Sequence, residues 1–381
     1  MCPHCQKSRR FREVKLRSRS ITTCQGPVTY HRTVYECVVC RASYAPVDKE
    51  LDLEPGEKYT RSVGRKAVYQ GAQSGSFELA HESMVEMLGF ALSRAEIVRA
   101  TEAAGEQFDR LQREDESDWL RPVSPQHPSP TPVISPERLV LSADGTCVLT
   151  VNGEEHKTVY CGRAFDLSSR GRKDGSQRPF IVESRYAASG VDMGDFSQRF
   201  KALAYECGMR SAKAVAFLAD GAVCLWKWAE EHLPRGSVLI QDFWHVCEHL
   251  SQLAKTLFDD ENWKEPFHRW KQQIEESGVE QVIAELKGMF EKSRGSRRKA
   301  LAREIGYLEK GKARMDYRRY KQEGWPIGSG SIEGTCKHLV KQRFCGTGAR
   351  WRRANIPKVL ALRVSMFNGT WAEDWESAKA A

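Results

Sequence analysis

The sequence predicts a mixed α/β protein with an all-helical insertion, preceded by a small cysteine-bearing ribbon and a helical segment. Three observations predict it. Short apolar runs between residues 138 and 186 read as hairpin strands, and strand and helix patterns then alternate up to Gln241. Residues 243–323 read as long charged helices with no strand among them. Two C-x-x-C knuckles frame the first 40 residues.

The elements follow in chain order. Cys2-Pro3-His4-Cys5 and Cys37-Val38-Val39-Cys40 can each present two thiolates, and four thiolates complete a tetrahedral zinc site. Residues 1–45 are thus expected to form a zinc ribbon, with Val28, Tyr30, Val34 and Tyr35 in its strands. The 31 residues between the knuckles exceed the commonest spacing, which leaves Cys24, His4 and His31 as substitute ligands. Within 46–120, residues 76–118 carry a helical stripe of Leu79, Met84, Val85, Leu88, Leu92, Ile97 and Phe108. Gly89 followed by Ser93 fits a turn between two helices, which suits a DNA-reading helix-turn-helix or an ordinary helical hairpin, and the segment is acidic. Six prolines in 121–136 exclude a helix or central strand there, so a linker and a domain boundary are expected.

Beyond the linker, Arg138–Ala143 and Cys147–Val151 are expected to be strands joined around Asp144-Gly145. Strands 158–162, 180–186, Ala214–Ala219 and Ser237–Gln241 follow, with helices from 195 to 207 and from 223 to 232. Asp144 and Asp220 would then each follow a strand, and carboxylates at strand ends sit where ligands gather in α/β sheets. Each also precedes a glycine, and Asp-Gly is equally a common turn pair. A third acid, Glu333, lies in the first turn of a helix expected to be capped by Ser331, after the glycine-rich run Ile327-Gly328-Ser329-Gly330. There it favours the helix dipole or reaches the sheet edge beside the aspartates. The division expected is 137–258 for the first part of an α/β core, 259–323 for the helical insertion, and 324–381 for the rest of the core with its basic C-terminal segment.

Composition bounds the function. The 381 residues suffice for two or three domains of roughly 100–200 residues. No run of about 18 uncharged apolar residues occurs and the N-terminus opens on a basic stretch, so neither a spanning helix nor a secretory signal is expected. Twelve cysteines in such a chain point to metal binding in a reducing, cytoplasmic compartment. The net charge of +9 is uneven: residues 1–40 hold eight basic groups against two acids, and residues 312–363 hold 13 against three. Two basic segments of net +6 and +10, separated by neutral or acidic protein, suit polyanion binding.

Several motifs together resemble bacterial insertion-sequence transposases of the DDE class, closest to the branch related to Mutator-like elements. They are Asp144-Gly145 after a first strand, Ala219-Asp220-Gly221-Ala222 with Trp226, Asp242-Phe243-Trp244-His245, and Gly328-Ser329-Gly330-Ser331-Ile332-Glu333 with Cys336-Lys337 and Arg343. The resemblance covers roughly residues 137–365 and is most specific in 327–363, with Gly348, Arg350-Trp351 and Leu360-Ala361-Leu362-Arg363. It implies an RNase H-like core in which Asp144 and Asp220 bind metal and Glu333 is the final acid. Asp242 is the rival to Asp220, and His245 is an auxiliary residue near the phosphate. Three carboxylates suit two Mg²⁺ or Mn²⁺ ions.

The implied reaction cuts the ends of a mobile element and joins them to target DNA, by hydrolysis and then transesterification. The implied partner is double-stranded DNA, the implied assembly a homodimer or larger, and the location the bacterial cytoplasm and nucleoid. Lys337, Lys341 and Arg343, with Arg350, Arg352 and Arg353 around Trp351, are the expected phosphate contacts. Trp351 either stacks on a base or packs in the core. The run Arg294, Arg297, Arg298, Lys299 and Arg303 is either a DNA contact or a solvated helix face. Two further readings share the residues: a DNA-binding protein that has lost strand transfer, and a metal-dependent nuclease or resolvase.

Overall fold

Cross-strand pairing builds the N-terminal part. In a computed structural model, which describes residues 1–381 apart from 8–9, 54–55, 152–155, 172–176, 259–261 and 381, β1 (Phe11–Thr23) and β2 (Gly26–Cys37) form one long antiparallel hairpin. A two-residue strand β3 (Ser43–Tyr44) extends it. The hairpin fills the 31-residue gap between the knuckles. A short helix α1 (Pro46–Glu50) sets buried Asp48 beneath it, where the carboxylate accepts a hydrogen bond from Tyr30 and pairs with Arg19 and Arg32. Helices α2 (Arg61–Gln73), α3 (Phe77–Leu88) and α4 (Arg94–Leu120) follow.

The sequence pattern misses α2 because its buried stripe is made of small residues, Val63, Gly64, Ala67, Val68, Gly71 and Ala72. The turn after α3 is as expected: Gly89 takes a left-handed φ of 73°. Ser93 and Glu96 then form a reciprocal capping box at the start of α4.

The chain divides into two compact units, Met1–Phe108 with Glu373–Ala381, and Asp109–Ala372. The division falls inside α4 and not in 121–136, where the prolines lead one to expect a boundary. The proline-rich segment packs instead: Ile134 is buried in the core of the second unit, and the Val133 N–H donates to the Glu206 carbonyl.

The second unit is built on a five-stranded sheet, β4 (Arg138–Leu149), β5 (His156–Gly171), β6 (Gln177–Ser189), β7 (Ala214–Ala219) and β8 (Val238–Gln241), in the order β6-β5-β4-β7-β8. β4, β5 and β6 pair antiparallel, while β7 and β8 add parallel to β4. One face is covered by α5 (Met193–Glu206) and α6 (Val223–His232), through a core of Phe196, Phe200, Phe217, Trp226 and Trp228. The other face carries α7 (Phe243–Leu257), α8 (Lys264–Glu276), α9 (Glu280–Lys292), α10 (Gly295–Gly311) and α11 (Tyr317–Gln322). Trp270, Ile274, Leu286 and Leu308 of these helices share one core with Val140, Phe165, Leu218 and Ile240 of the sheet. The helical region is therefore a layer on the sheet, not a separate bundle. The chain then runs through α12 (Gly330–Thr335), a π-helical turn (Cys336–Lys341), α13 (Gln342–Phe344), α14 (Ile356–Asn368) and α15 (Trp371–Ala380). Among the described residues no helix is long and apolar enough to cross a membrane.

Candidate functional site

The first candidate lies within the N-terminal unit. The two knuckles adopt the same turn: the Gln6 N–H donates to the Cys2 carbonyl and the Arg41 N–H to the Cys37 carbonyl, each at 3.0 Å. Gln6 and Arg41 both take a left-handed φ, 55° and 61°. Cys2 and Cys40 Sγ lie 3.7 Å apart, Cys5 and Cys37 Sγ 3.8 Å apart, and all four sulfurs fall within 4.8 Å of one another. A tetrahedral site with metal–sulfur bonds of about 2.3 Å requires sulfurs about 3.8 Å apart, so the set can hold a metal ion and is compatible with zinc. The backbone N–H groups of Cys40 and Val39 hold the Cys37 thiol below its ordinary value, while burial and the sulfurs of Cys37, Cys5 and Cys2 push the Cys40 thiol up. Cys24, His4 and His31 stand outside this set.

The second candidate is at one edge of the five-stranded sheet. The expectation of a turn at Asp144-Gly145 is corrected here, because β4 runs unbroken through both residues, held by pairing of Asp144 with Cys161 and of Gly145 with Tyr160 on β5. Pairing with β7 ends two residues earlier, at Ser142 opposite Leu218. Burial changes at the same point, from continuous at 139–143 to alternating beyond. Asp144 thus sits where the sheet has lost a neighbour on one side. Asp220 follows the last residue of β7 and Asp242 the last residue of β8, so three aspartates meet at the carboxyl edge of three parallel strands. The glycine after Asp220 is needed, since Gly221 has a φ of 122°.

Glu333 reaches this edge from α12. Ser331 is not the cap expected; the helix starts after Ser329, whose hydroxyl is otherwise engaged. That hydroxyl lies within hydrogen-bond reach of both the Asp242 carboxylate and Glu333 Oε1, the latter at 3.0 Å, and its single hydrogen serves one of them at a time. Asp242 Oδ2 also accepts from the Ser329 N–H at 2.9 Å, while Oδ1 caps α7 by accepting from the N–H groups of Trp244 and His245. Asp242 is 1% exposed, and both of its oxygens are occupied. Asp220 spends one oxygen on the Ala222 N–H, at 3.1 Å. On the far side, Arg163 of β5 donates to the Ser331 carbonyl at 3.1 Å and steadies the same turn.

Asp144, Asp220, Asp242, Glu333, His245, Glu248 and Ser329 line one cavity of about 240 Å³. Burial, then the charges of Asp220 and Glu333, push the Asp144 carboxyl above the usual carboxylate range. Among the described residues, no basic side chain forms an ion pair with Asp144, Asp220 or Glu333. Only the four cysteines, among those residues, bring three or more ligating atoms within 4.8 Å of one another, so the acids face a shared space without closing on each other.

A groove of about 770 Å³ continues from Asp144 and Glu333 along the π-helical turn, lined by Cys336, Lys337, His338, Lys341 and Gln342. His338 lines this groove with Lys337 and Lys341 beside the acids. Carbonyls loosened by the π-helical geometry are met by buried Arg363, which donates to Leu339 O at 2.6 Å and to His338 O. One expected DNA contact is corrected. Arg343 is 2% exposed, because its guanidinium packs over the Trp351 ring at 4.6 Å. Trp351 packs on Phe344 and donates to its carbonyl, so it belongs to the core. Arg350, Arg352 and Arg353 are exposed but do not line the groove, and Arg294, Arg297, Arg298, Lys299 and Arg303 lie on the exposed face around the start of α10.

Sequence reasoning misses the roles of Ser329, Arg163, His338 and Arg363. Ser329 is visible inside the glycine-rich run and Arg363 inside Leu360-Ala361-Leu362-Arg363, but nothing local marks Arg163 or His338. No protein-family model matches the chain, and no curated protein matches it either.

Proposed function

We propose that this chain is a DNA transposase of the DDE class, with Asp144, Asp220 and Glu333 as the acids that hold divalent metal. One observation carries the reading: three carboxylates from three separate elements line one cavity, and among the described residues none has a cationic side chain for a partner. Their oxygen donors fit Mg²⁺ or Mn²⁺, with water and phosphate oxygens completing the shell. A pair of bound ions would activate the attacking oxygen and stabilise the leaving one. The mixed sheet with helices on both faces is compatible with the RNase H-like core that the resemblance implies.

The remaining roles belong to the chain. Asp242 is a positioning residue, because its oxygens are spent on the cap of α7 and on Ser329, and Ser329 in turn holds Glu333. This favours Asp220 as the second metal ligand. His245 borders the phosphate. Lys337 and Lys341 neutralise the strand that leaves the cavity along the π-helical turn, and His338 borders it. Water attack on a phosphodiester frees a 3′-hydroxyl, which then attacks target DNA, so no covalent protein–DNA bond and no Ser or Tyr nucleophile are required. The four cysteines hold structural zinc in a ribbon that contacts element ends, and two or more copies act together on paired ends in the bacterial cytoplasm.

Mn²⁺ binding followed by electron paramagnetic resonance tests the metal site. Asp144→Asn, Asp220→Asn and Glu333→Gln should each weaken binding by more than the roughly 10–100-fold expected for loss of an outer partner, with Asp242→Asn inside that range. Undiminished Mn²⁺ affinity in a triple Asp144→Asn, Asp220→Asn, Glu333→Gln variant contradicts the reading.

A further inference from the structure

Trp244 is left unused by the chemistry above, and its setting is unusual. With 54% of its surface exposed, it is the most exposed tryptophan among the described residues. It stands on the first turn of α7, where its own N–H is fixed by Asp242 at 2.5 Å. Its chain neighbours Asp242 and His245 both line the carboxylate cavity, as does Glu248 one helical turn on. Across space it rests on Gly328, the residue before Ser329: a Cβ at 328 would lie 2.6 Å from the indole Cδ1. The indole is therefore seated on the turn that presents Glu333. Phe243 supports it edge-on at 5.3 Å, and the ammonium of Lys271 on α8 stands 4.7 Å from the ring centroid.

We propose that Trp244 is a stacking platform for an unpaired base of the DNA strand whose phosphate enters the carboxylate cavity. This deepens the DNA reading and rests on it. A fixed, half-exposed indole loses little freedom when a base covers it, and base–aromatic stacking tolerates any sequence. Lys271 lies over one face of the ring, which leaves the opposite face for the base. The frame around the ring is polar, with His245, Glu248 and Lys271, so a flat base fits better than a protein surface, which would ask for a contiguous apolar patch. A strand with an unstacked end, not an intact helix, is the form the site would hold.

The test uses the full-length zinc-loaded protein and two probes, a duplex with a single-stranded oligothymidine tail and the same duplex with blunt ends. Binding is read by fluorescence anisotropy in Ca²⁺. Wild type should prefer the tailed probe. Trp244→Ala should lose about tenfold on the tailed probe with no change on the blunt one, and Trp244→Phe should keep most of the preference. With 5-iodouracil in the tail, the photo-crosslink should map to Trp244. Equal binding of tailed and blunt probes by wild type, an unchanged tail preference in Trp244→Ala, or a loss shared by both probes overturns the stacking role and leaves the DNA reading standing. Failure of wild type to bind either probe overturns the DNA reading, and the stacking role falls with it.

Discussion

At the scale of single residues, the same side-chain chemistry has different uses according to what already occupies it. Asp220 and Asp242 both follow a strand, but Asp242 accepts three hydrogen bonds from backbone N–H groups and Asp220 accepts one. Asp242→Asn should therefore act through geometry, perturbing Glu333 and the start of α7. Away from the site, burial and then the nearby Asp115 charge raise the Glu206 carboxyl to about 7. A raised acid adds stability that is complete below its unfolded value, about 4.3, and lost as pH rises through about 7. Glu206→Gln should thus gain in melting temperature over wild type as pH rises between those limits and hold the gain above, as calorimetry across pH would read. Asp144, Asp220 and Glu333 are legible in the sequence because each sits in a short motif with glycine. Local preference nonetheless assigns Asp144 to a turn, since its place within β4 depends on pairing with β5. The burial of Arg343 is equally hidden, because it follows from packing over the ring of Trp351.

At the scale of elements, strands and capped helices are the readable part, and the π-helical turn is not. Cys336–Lys341 carries an ordinary helical pattern, and the guanidinium that meets its carbonyls comes from Arg363 on α14. Arg363→Leu should cost about 1–3 kcal/mol for each buried carbonyl left unmet, and urea unfolding would measure it. The capping box at Ser93 is visible as a spacing of three residues, and Ser93→Ala should cost about 1 kcal/mol in the same measurement. The four-cysteine cluster is legible from its knuckles, whereas the length of the hairpin between them is not, because β-branched and charged residues alternate there without a turn signal before Gly26. Elemental analysis should find one zinc per chain, and removing it with a chelator should speed amide exchange in residues 1–45 before it does so in the sheet. Protein with no bound metal and slow exchange would refute the metal-held ribbon.

At the scale of the whole molecule, the sequence pattern supports a mixed sheet and a helical region, and it misplaces the boundary between the two units. Prolines in 121–136 forbid a helix but do not forbid packing, and Ile134 anchors that segment in a core. The +10 segment divides in the folded chain into buried Arg343 and Arg363, groove-lining Lys337 and Lys341, and exposed arginines beyond them. DNA affinity should fall steeply with salt, and Lys337→Ala with Lys341→Ala should flatten the log–log slope by about 0.9 for each phosphate no longer neutralised. The central claim is that Asp144, Asp220 and Glu333 together cut DNA with divalent metal. It is tested most directly by incubating the protein with a duplex of the DNA flanking its coding region and mapping the ends produced. The account predicts breaks bearing 3′-hydroxyls in Mg²⁺ or Mn²⁺, none in EDTA, and none with Glu333→Ala, which should still bind the duplex. No cleavage by wild type in either metal, or undiminished cleavage by Glu333→Ala, would contradict it.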